Sequence, residues 1–157
     1  MSTRVGKPLA ALLFLALVAT LLGAFKFSAC EESLWATPDQ YVHACYSDIA
    51  TLYGERDLDK DQWSYTSKTN AVEYPVLTGT VMWLFARALP SGENEILNYY
   101  RLNAIFLAAL FIFIAYIVYR IRPEFAYLAA IAPAAVASLY INWDLWAIAS
   151  MMVAIYW

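Results

Sequence analysis

Charged residues are scarce in this chain. They make up 15% of its 157 residues, whereas 62% are apolar and 17% aromatic; in soluble domains roughly a quarter are charged. The net charge is −3, and the absence of a basic stripe argues against nucleic-acid binding. The sequence has no internal repeat, glycine-rich phosphate loop, nucleophile elbow or cysteine–histidine metal cluster. The single histidine, His43, stands alone.

The apolar residues form uninterrupted runs. Three runs approach the roughly 20 residues that a helix needs to cross a bilayer, and a fourth stops where the sequence ends. The predicted spans are residues 8–27, 101–119 and 124–141, with 145–157 as an incomplete fourth. We therefore expect an all-α, polytopic membrane protein with a single membrane domain over 1–157. The incomplete last span is typical of the front portion of a longer protein.

The first apolar run fits both a retained anchor and a cleaved signal, because Arg4 and Lys7 precede it. The sequence before Cys30 also weakly resembles a lipoprotein box. However, the run is longer than the about 7 to 15 residues of a usual signal core, and Lys26 can snorkel to the interface. We expect a retained helix whose basic start keeps the N-terminus in the cytoplasm of a multi-pass plasma-membrane protein.

Residues 28–100 are predicted to form an outer-face loop with short juxtamembrane helices. Segment 74–90 is apolar but short, and Arg87 would be costly in lipid. If it crossed, Arg120 and Arg122 would lie outside, against the positive-inside rule. An interfacial or re-entrant helix avoids both problems. This topology places four candidate functional residues on one face: Asp48, Glu73, Arg101 and Asp144.

The start of the outer loop carries a helix signal. Thr37 suits an N-cap, Pro38 the first helical position, and Gln40 can close a capping box. Gly54 is a natural helix stop. Whether one unbroken helix runs through Asp48 stays open at this point.

Two aspartates are candidates for chemistry. Asp48 is flanked by aromatic and aliphatic residues, an environment in which a carboxylate can serve as a general base; it could equally be a solvent-facing helix residue. Asp144 lies between two tryptophans where a span ends. It could coordinate a divalent metal or bind a polar substrate, or simply belong to the interfacial belt.

Further residues on the outer side have two readings each. Glu73 could bind substrate or favour a helix start through the helix dipole. Arg101 could clamp a phosphate or contact lipid head groups. Cys30 and Cys45 both lie in the loop, where an oxidising compartment makes a structural disulfide more common than a catalytic thiol.

Three blocks connect these residues to a known class of enzyme. CYSDIATLYGERDLD, VEYPVLTG and INWDLWAIA, in this order, closely resemble actinobacterial membrane proteins of the type C glycosyltransferases, and in particular glycosyltransferase family 87. The resemblance covers most of the chain and roughly the N-terminal third of such a protein. It implies many spanning helices, an outer-face active site, a polyprenyl-phosphate sugar donor, commonly mannose, and a cell-envelope glycolipid or glycan acceptor.

The resemblance implies roles for individual residues. Asp48 corresponds to the catalytic base, and Asp144 to the acidic group that emerges after the third helix. Related enzymes often show a double proline in the second block, whereas here Pro75 is followed by Val76. The implied reaction is a single inverting displacement in which Arg101, or a divalent metal held near Asp144, stabilises the phosphate leaving group.

Two other functional classes stay open. A non-catalytic membrane protein could use the outer loop to dock a partner. A transporter should carry functional polar residues inside its spans, which here contain almost none. Later helices would complete the lipid-donor groove of such an enzyme, so whether this chain alone is active also stays open.

Overall fold

The computed structural model describes residues 6–60, 62–90 and 92–157. These residues form helices and loops without a strand, so the all-α prediction is confirmed for them. Arg4, on which the orientation depends, lies outside the described residues. The helices are α1 Gly6–Ser33, α2 Asp39–Val42, α3 Asp48–Glu55, α4 Val76–Arg87, α5 Glu95–Ile121, α6 Pro123–Ile131, α7 Pro133–Ser138 and α8 Asp144–Tyr156, with a 3-10 turn at Leu58–Lys60.

Two of the described helices are long and apolar enough to cross a membrane. They cover Pro8–Ser33 and Glu95–Ile121, and thus extend beyond the predicted spans 8–27 and 101–119. Neither extension contains a proline that would stop a helix. α1 ends only where Leu34 adopts a left-handed φ of 50°, a conformation common at helix C-termini.

The predicted third span, 124–141, is not one continuous helix. α6 ends at Ile131 and α7 begins at Pro133, because Ala132 between them has an extended ψ of 122°. A proline disfavours helical geometry in the residue before it and donates no backbone hydrogen bond. The incomplete fourth run forms α8, close to the predicted 145–157.

Residue contacts divide the chain into two compact units. The first combines the described residues up to Lys26 with Phe106–Tyr140 and Asp144–Trp157. Within it, the Tyr127 hydroxyl donates to the Pro8 carbonyl at 2.7 Å and Lys26 Nζ to the Ala137 carbonyl at 2.7 Å. Lys26 thus satisfies a carbonyl at the end of α7, where helical partners are missing.

The second unit comprises Phe27–Ile105 and Ile141–Trp143. It contains most of the predicted outer loop. The helix signal at Thr37 produces only the single turn of α2, because Ala44 has a left-handed φ of 52°. A new helix, α3, then begins at Asp48, and the Ser47 hydroxyl caps it by accepting from the Ile49 amide at 3.2 Å.

Within the second unit, α4 packs through small and flexible residues. Thr78, Gly79 and Met82 are buried, and the Ser64 hydroxyl donates to the Gly79 carbonyl at 2.7 Å. Gly79 faces Tyr65 so closely that a Cβ there would overlap the Tyr65 hydroxyl. The glycine therefore permits the contact between α4 and the preceding loop.

Candidate functional site

Asp48 is the centre of a hydrogen-bond network in the second unit. Its Oδ1 accepts a hydrogen bond from the Tyr46 hydroxyl at 2.8 Å, and its Oδ2 accepts one from the Tyr74 hydroxyl at 3.1 Å. Its backbone amide donates to the Ile141 carbonyl at 2.7 Å. Because both carboxylate oxygens and the backbone are held, the orientation of the half-buried Asp48 side chain is well defined.

The pKa of Tyr46, which donates a hydrogen bond to Asp48, is raised. Burial, together with the hydrogen bond and the negative charge of Asp48, raises the pKa of Tyr46 to about 12. A hydrogen bond from the Thr51 side chain opposes part of that rise. Tyr46 also stacks on Tyr41, with ring centroids 5.9 Å apart. It therefore remains a hydrogen-bond donor to Asp48 at physiological pH.

Tyr74 is fixed from two sides. Its backbone carbonyl accepts from the Tyr65 hydroxyl at 2.8 Å, and its ring meets the Trp143 ring edge-on at 5.3 Å. Trp143 is in turn buried and donates from Nε1 to Asn103 Oδ1 at 2.7 Å. Edge-to-face packing and a satisfied indole N–H are the usual requirements for a buried tryptophan.

The three sequence blocks thus meet at Asp48. The first block supplies Asp48 and Tyr46, the second supplies Tyr74, and the third supplies the Ile141 carbonyl and Trp143. The first and third blocks are far apart in sequence, since the Ser47 hydroxyl, which also donates to Ile141, is separated from it by 94 residues. A solvent-facing aspartate on a helix surface, the alternative interpretation of Asp48, would not need contacts from three distant segments.

The arrangement leaves Asp48 able to accept a further hydrogen bond. Each carboxylate oxygen has two lone-pair directions, and each is engaged by one tyrosine hydroxyl in the contacts above. An acceptor hydroxyl could therefore donate to Asp48 while both tyrosines hold it. Spare capacity to accept a hydrogen bond is one requirement of a general base.

Glu73 pairs with a basic residue of the same unit. Its carboxylate accepts from Arg56 Nη2 at 2.7 Å, although the Glu73 side chain is 78% exposed. α4 begins at Val76 after the N-cap Pro75, so Glu73 lies just ahead of the helix, and its reading as a helix-start carboxylate stays a prediction. A direct role in binding substrate stays a prediction.

Arg101 also has an acidic partner. Its Nε and Nη2 donate to the same Glu31 oxygen at 2.9 and 2.7 Å, and the arginine side chain is 57% exposed. A phosphate at Arg101 would therefore compete with Glu31 for the guanidinium. The predicted phosphate clamp stays a prediction.

Asp144 begins α8 and belongs to the first unit, whereas Asp48, Glu73 and Arg101 belong to the second. Over residues 6–60, 62–90 and 92–157, no group of three or more histidine, cysteine, aspartate or glutamate side chains could hold a metal ion. Mg²⁺ is commonly held by only one or two carboxylates together with substrate phosphates, so a divalent metal near Asp144 stays a prediction.

Cys30 and Cys45, the pair expected from the sequence, are joined by a disulfide with Cα atoms 6.0 Å apart. Both sulfurs are buried. Trp35 lies between them in sequence and bonds to both partners: its amide donates to the Cys30 carbonyl at 3.0 Å, and its indole donates to the Cys45 carbonyl at 3.2 Å. The bridge therefore fixes the end of α1 to the segment before α3.

The tyrosine partners of Asp48 were not identified from the sequence. The sequence could have suggested Tyr46, because it lies only two residues before Asp48 and side chains at that spacing can form a hydrogen bond just ahead of a helix. Tyr74 and Trp143 carry no such signal, since only the folded chain brings them near Asp48.

Comparison with known proteins adds no assignment: no family model, curated protein or solved structure matches this chain.

Proposed function

We propose that this chain belongs to an integral membrane glycosyltransferase that moves a sugar, most simply mannose, from a polyprenyl phosphate to a cell-envelope acceptor on the outer face. The observation that carries the proposal is the convergence of the three blocks on Asp48, described above. The blocks that resemble the enzyme class surround the carboxylate that the resemblance assigns as the base. The proposal also rests on that resemblance.

In the proposed reaction, Asp48 accepts the proton of an acceptor hydroxyl as the hydroxyl oxygen attacks the anomeric carbon of the donor sugar. The bond between that carbon and the phosphate oxygen breaks, and the polyprenyl phosphate leaves with the electron pair. Configuration inverts because there is one displacement. Tyr46 and Tyr74 orient the base through their hydrogen bonds to it, and such orientation keeps reacting atoms aligned.

The proposed topology draws support from α4. Its 12 residues extend over about 18 Å at 1.5 Å per residue, which is short of the roughly 30 Å hydrocarbon core. One face of α4 is buried in the second unit, whereas Val76, Leu77 and Leu84 are exposed. An apolar exposed face with Arg87 at the helix end suits a helix that lies in the interface.

Replacing Asp48 with asparagine tests the base. Asp48→Asn keeps the size and a hydrogen-bond acceptor but cannot take up the acceptor proton. General-base catalysis is worth about 100-fold to 10,000-fold in rate. Sugar transfer from polyprenyl-phosphate mannose should therefore be lower by that factor in membranes that contain the Asp48→Asn protein than in membranes that contain the unmodified protein.

The matched control is Glu32→Gln, the same carboxylate-to-amide change at an exposed position near the end of α1, which should leave transfer unchanged. Protein level and protease sensitivity separate the alternatives, because a structural Asp48 would lose activity only in step with folding. Undiminished transfer by a normally folded Asp48→Asn protein would remove Asp48 as the base. The partner-docking alternative would then be the better reading of the loop.

A further inference from the structure

An open groove in the second unit lies beside α3. It consists of two adjoining depressions of about 240 and 420 Å³, and Leu34, Gly54 and Ile96 line both. We call this the Leu34 groove. The volume of the larger depression lies within the roughly 300 to 1,000 Å³ of small-molecule sites. Leu34 and its neighbour Trp35 hold left-handed φ angles of 50° and 57°, a conformation that non-glycine residues keep only where the surroundings impose it.

The polar chemistry of the Leu34 groove is dominated by hydrogen-bond acceptors. None of its described lining residues is basic. Four of them carry carboxylates: Glu55, Asp59, Glu93 and Glu95. Glu95 is positioned by the Gly92 amide, which donates to it at 2.7 Å. A phosphate or another anion would be repelled here, whereas a ligand rich in hydroxyl donors would find acceptors.

Gln40 adds a buried acceptor to the same groove. The residue is 6% exposed and lines the larger depression. Its amide nitrogen donates to the Thr37 hydroxyl at 3.3 Å, but no donor within the described chain reaches its Oε1. Buried polar atoms are nearly always hydrogen-bonded, so this oxygen indicates a donor that the described protein residues do not supply.

The groove is connected to Asp48 through one side chain. Thr51 lines the larger depression and hydrogen-bonds to Tyr46, whose hydroxyl donates to Asp48 at 2.8 Å. Thr51 follows Asp48 by three residues in α3, a rise of about 4.5 Å. A ligand seated at Thr51 would therefore present its end one helical turn from the carboxylate.

We propose that the Leu34 groove binds the uncharged sugar portion of the acceptor, with its hydroxyls donating to the carboxylates and to Gln40. This proposal rests on the proposed function and deepens it, since it separates the acceptor from the anionic lipid donor by charge. The acceptor extends from the groove past Thr51, so that the hydroxyl that attacks reaches Asp48.

Gly54 provides a clean way to block the groove. A Cβ at this position meets no atom within 4 Å, and the backbone φ of Gly54 is not positive. A large side chain therefore fits without a clash and projects into space shared by both depressions. Gly54→Trp should fill the groove, and Gly54→Ala, which adds one methyl group, is the matched control.

The experiment is saturation-transfer NMR on the full chain in nanodiscs, with an α-linked mannose disaccharide as the probe. We expect saturation transfer to the disaccharide with the unmodified protein and with Gly54→Ala, and loss of transfer with Gly54→Trp. A fully O-methylated form of the disaccharide should give no transfer, because it has no hydroxyl donor. A mannose phosphate should give weaker transfer than the neutral disaccharide.

The proposal is overturned if the unmodified protein shows no transfer to the disaccharide, if Gly54→Trp transfers as well as Gly54→Ala, or if the O-methylated form binds equally. The binding result is independent of catalysis, because Asp48→Asn should still bind the disaccharide. If the disaccharide does not bind but sugar transfer still depends on Asp48, the groove proposal fails and the proposed function stands. If the disaccharide binds but Asp48→Asn transfers sugar at an undiminished rate, Asp48 is not the base, and the groove still stands as a sugar-binding site.

Discussion

Gly79→Ala offers a test of how the Asp48 network is supported from α4. A Cβ at residue 79 would overlap the Tyr65 hydroxyl and lie 2.6 Å from its Cζ, so the tyrosine ring must move. The Tyr65 hydroxyl donates to the Tyr74 carbonyl, and Tyr74 in turn holds Asp48. The substitution therefore acts on Asp48 through two intervening residues, Tyr65 and Tyr74.

The magnitude follows from three opposing contributions. Overpacking at a filled site costs about 1 to 3 kcal/mol, and the lost Tyr65–Tyr74 hydrogen bond costs about 1 kcal/mol. Alanine regains about 1 kcal/mol over glycine in a helix. We therefore expect Gly79→Ala to lower the free energy of unfolding by about 1 to 3 kcal/mol.

Gly54→Ala is the matched control, because residue 54 also lies in a helix but has open space at its Cβ. It should be neutral or slightly stabilising, since only the helix propensity changes. Denaturant unfolding of the full chain in nanodiscs can be followed by tryptophan fluorescence, because Trp63 packs against Tyr65 with ring centroids 5.7 Å apart.

A combined Gly79→Ala and Tyr65→Leu variant should be less destabilised than the two single changes predict, because the clash is absent. Equal stabilities of Gly79→Ala and Gly54→Ala would refute the steric argument. So would strict additivity with Tyr65→Leu.

Three further outcomes can be measured. Cys30 and Cys45 should react with an alkylating reagent only after reduction, and breaking the bridge across their 15-residue separation should cost about 3 kcal/mol; alkylation of both without reduction would show that no bridge forms. A reporter that works only outside the cytoplasm should be active when fused after Asn94 and silent after Arg122, and the reverse pattern would mean that α4 crosses. Because burial and a neighbouring carboxylate raise the pKa of Tyr46 to about 12, its contribution to stability should be complete below pH about 10 and decline as the pH rises through about 12. Absorbance of the phenolate should show a late-titrating step whose size Tyr46→Phe reduces by one tyrosine, because burial and Glu95 also raise the pKa of Tyr53 to about 12; an unchanged titration curve in that variant would contradict the prediction.

Local sequence patterns determined the helix class and much of the helix placement. Apolar runs that lack charge and proline predict α1 and α5 because a long helix satisfies its own backbone. The limits of that reasoning appear at Pro133, which divides the run 124–141 into two helices. They also appear at Ala44, where a left-handed φ separates α2 from α3.

The apolar residues around Asp48 and the family resemblance identified this residue as a candidate. The expected oxidising compartment predicted the disulfide between the two cysteines. Glu73 shows why the remaining predictions were less secure. Its sequence position suggested a helix start, but in the structure its carboxylate forms a salt bridge with Arg56, a residue 17 positions away. The partner of a long charged side chain depends on which residues lie near it in the folded protein, and a local sequence pattern does not contain that information.

The sequence by itself therefore determined which segments are helical and which carboxylate stands out, because backbone satisfaction and hydrophobic periodicity are properties of neighbouring residues. The tertiary structure alone decided that Tyr74, Ile141 and Trp143 surround Asp48, and that Gly54 and Leu34 face a common groove. These contacts join distant parts of the chain, and they form only when packing and buried hydrogen bonds are satisfied together.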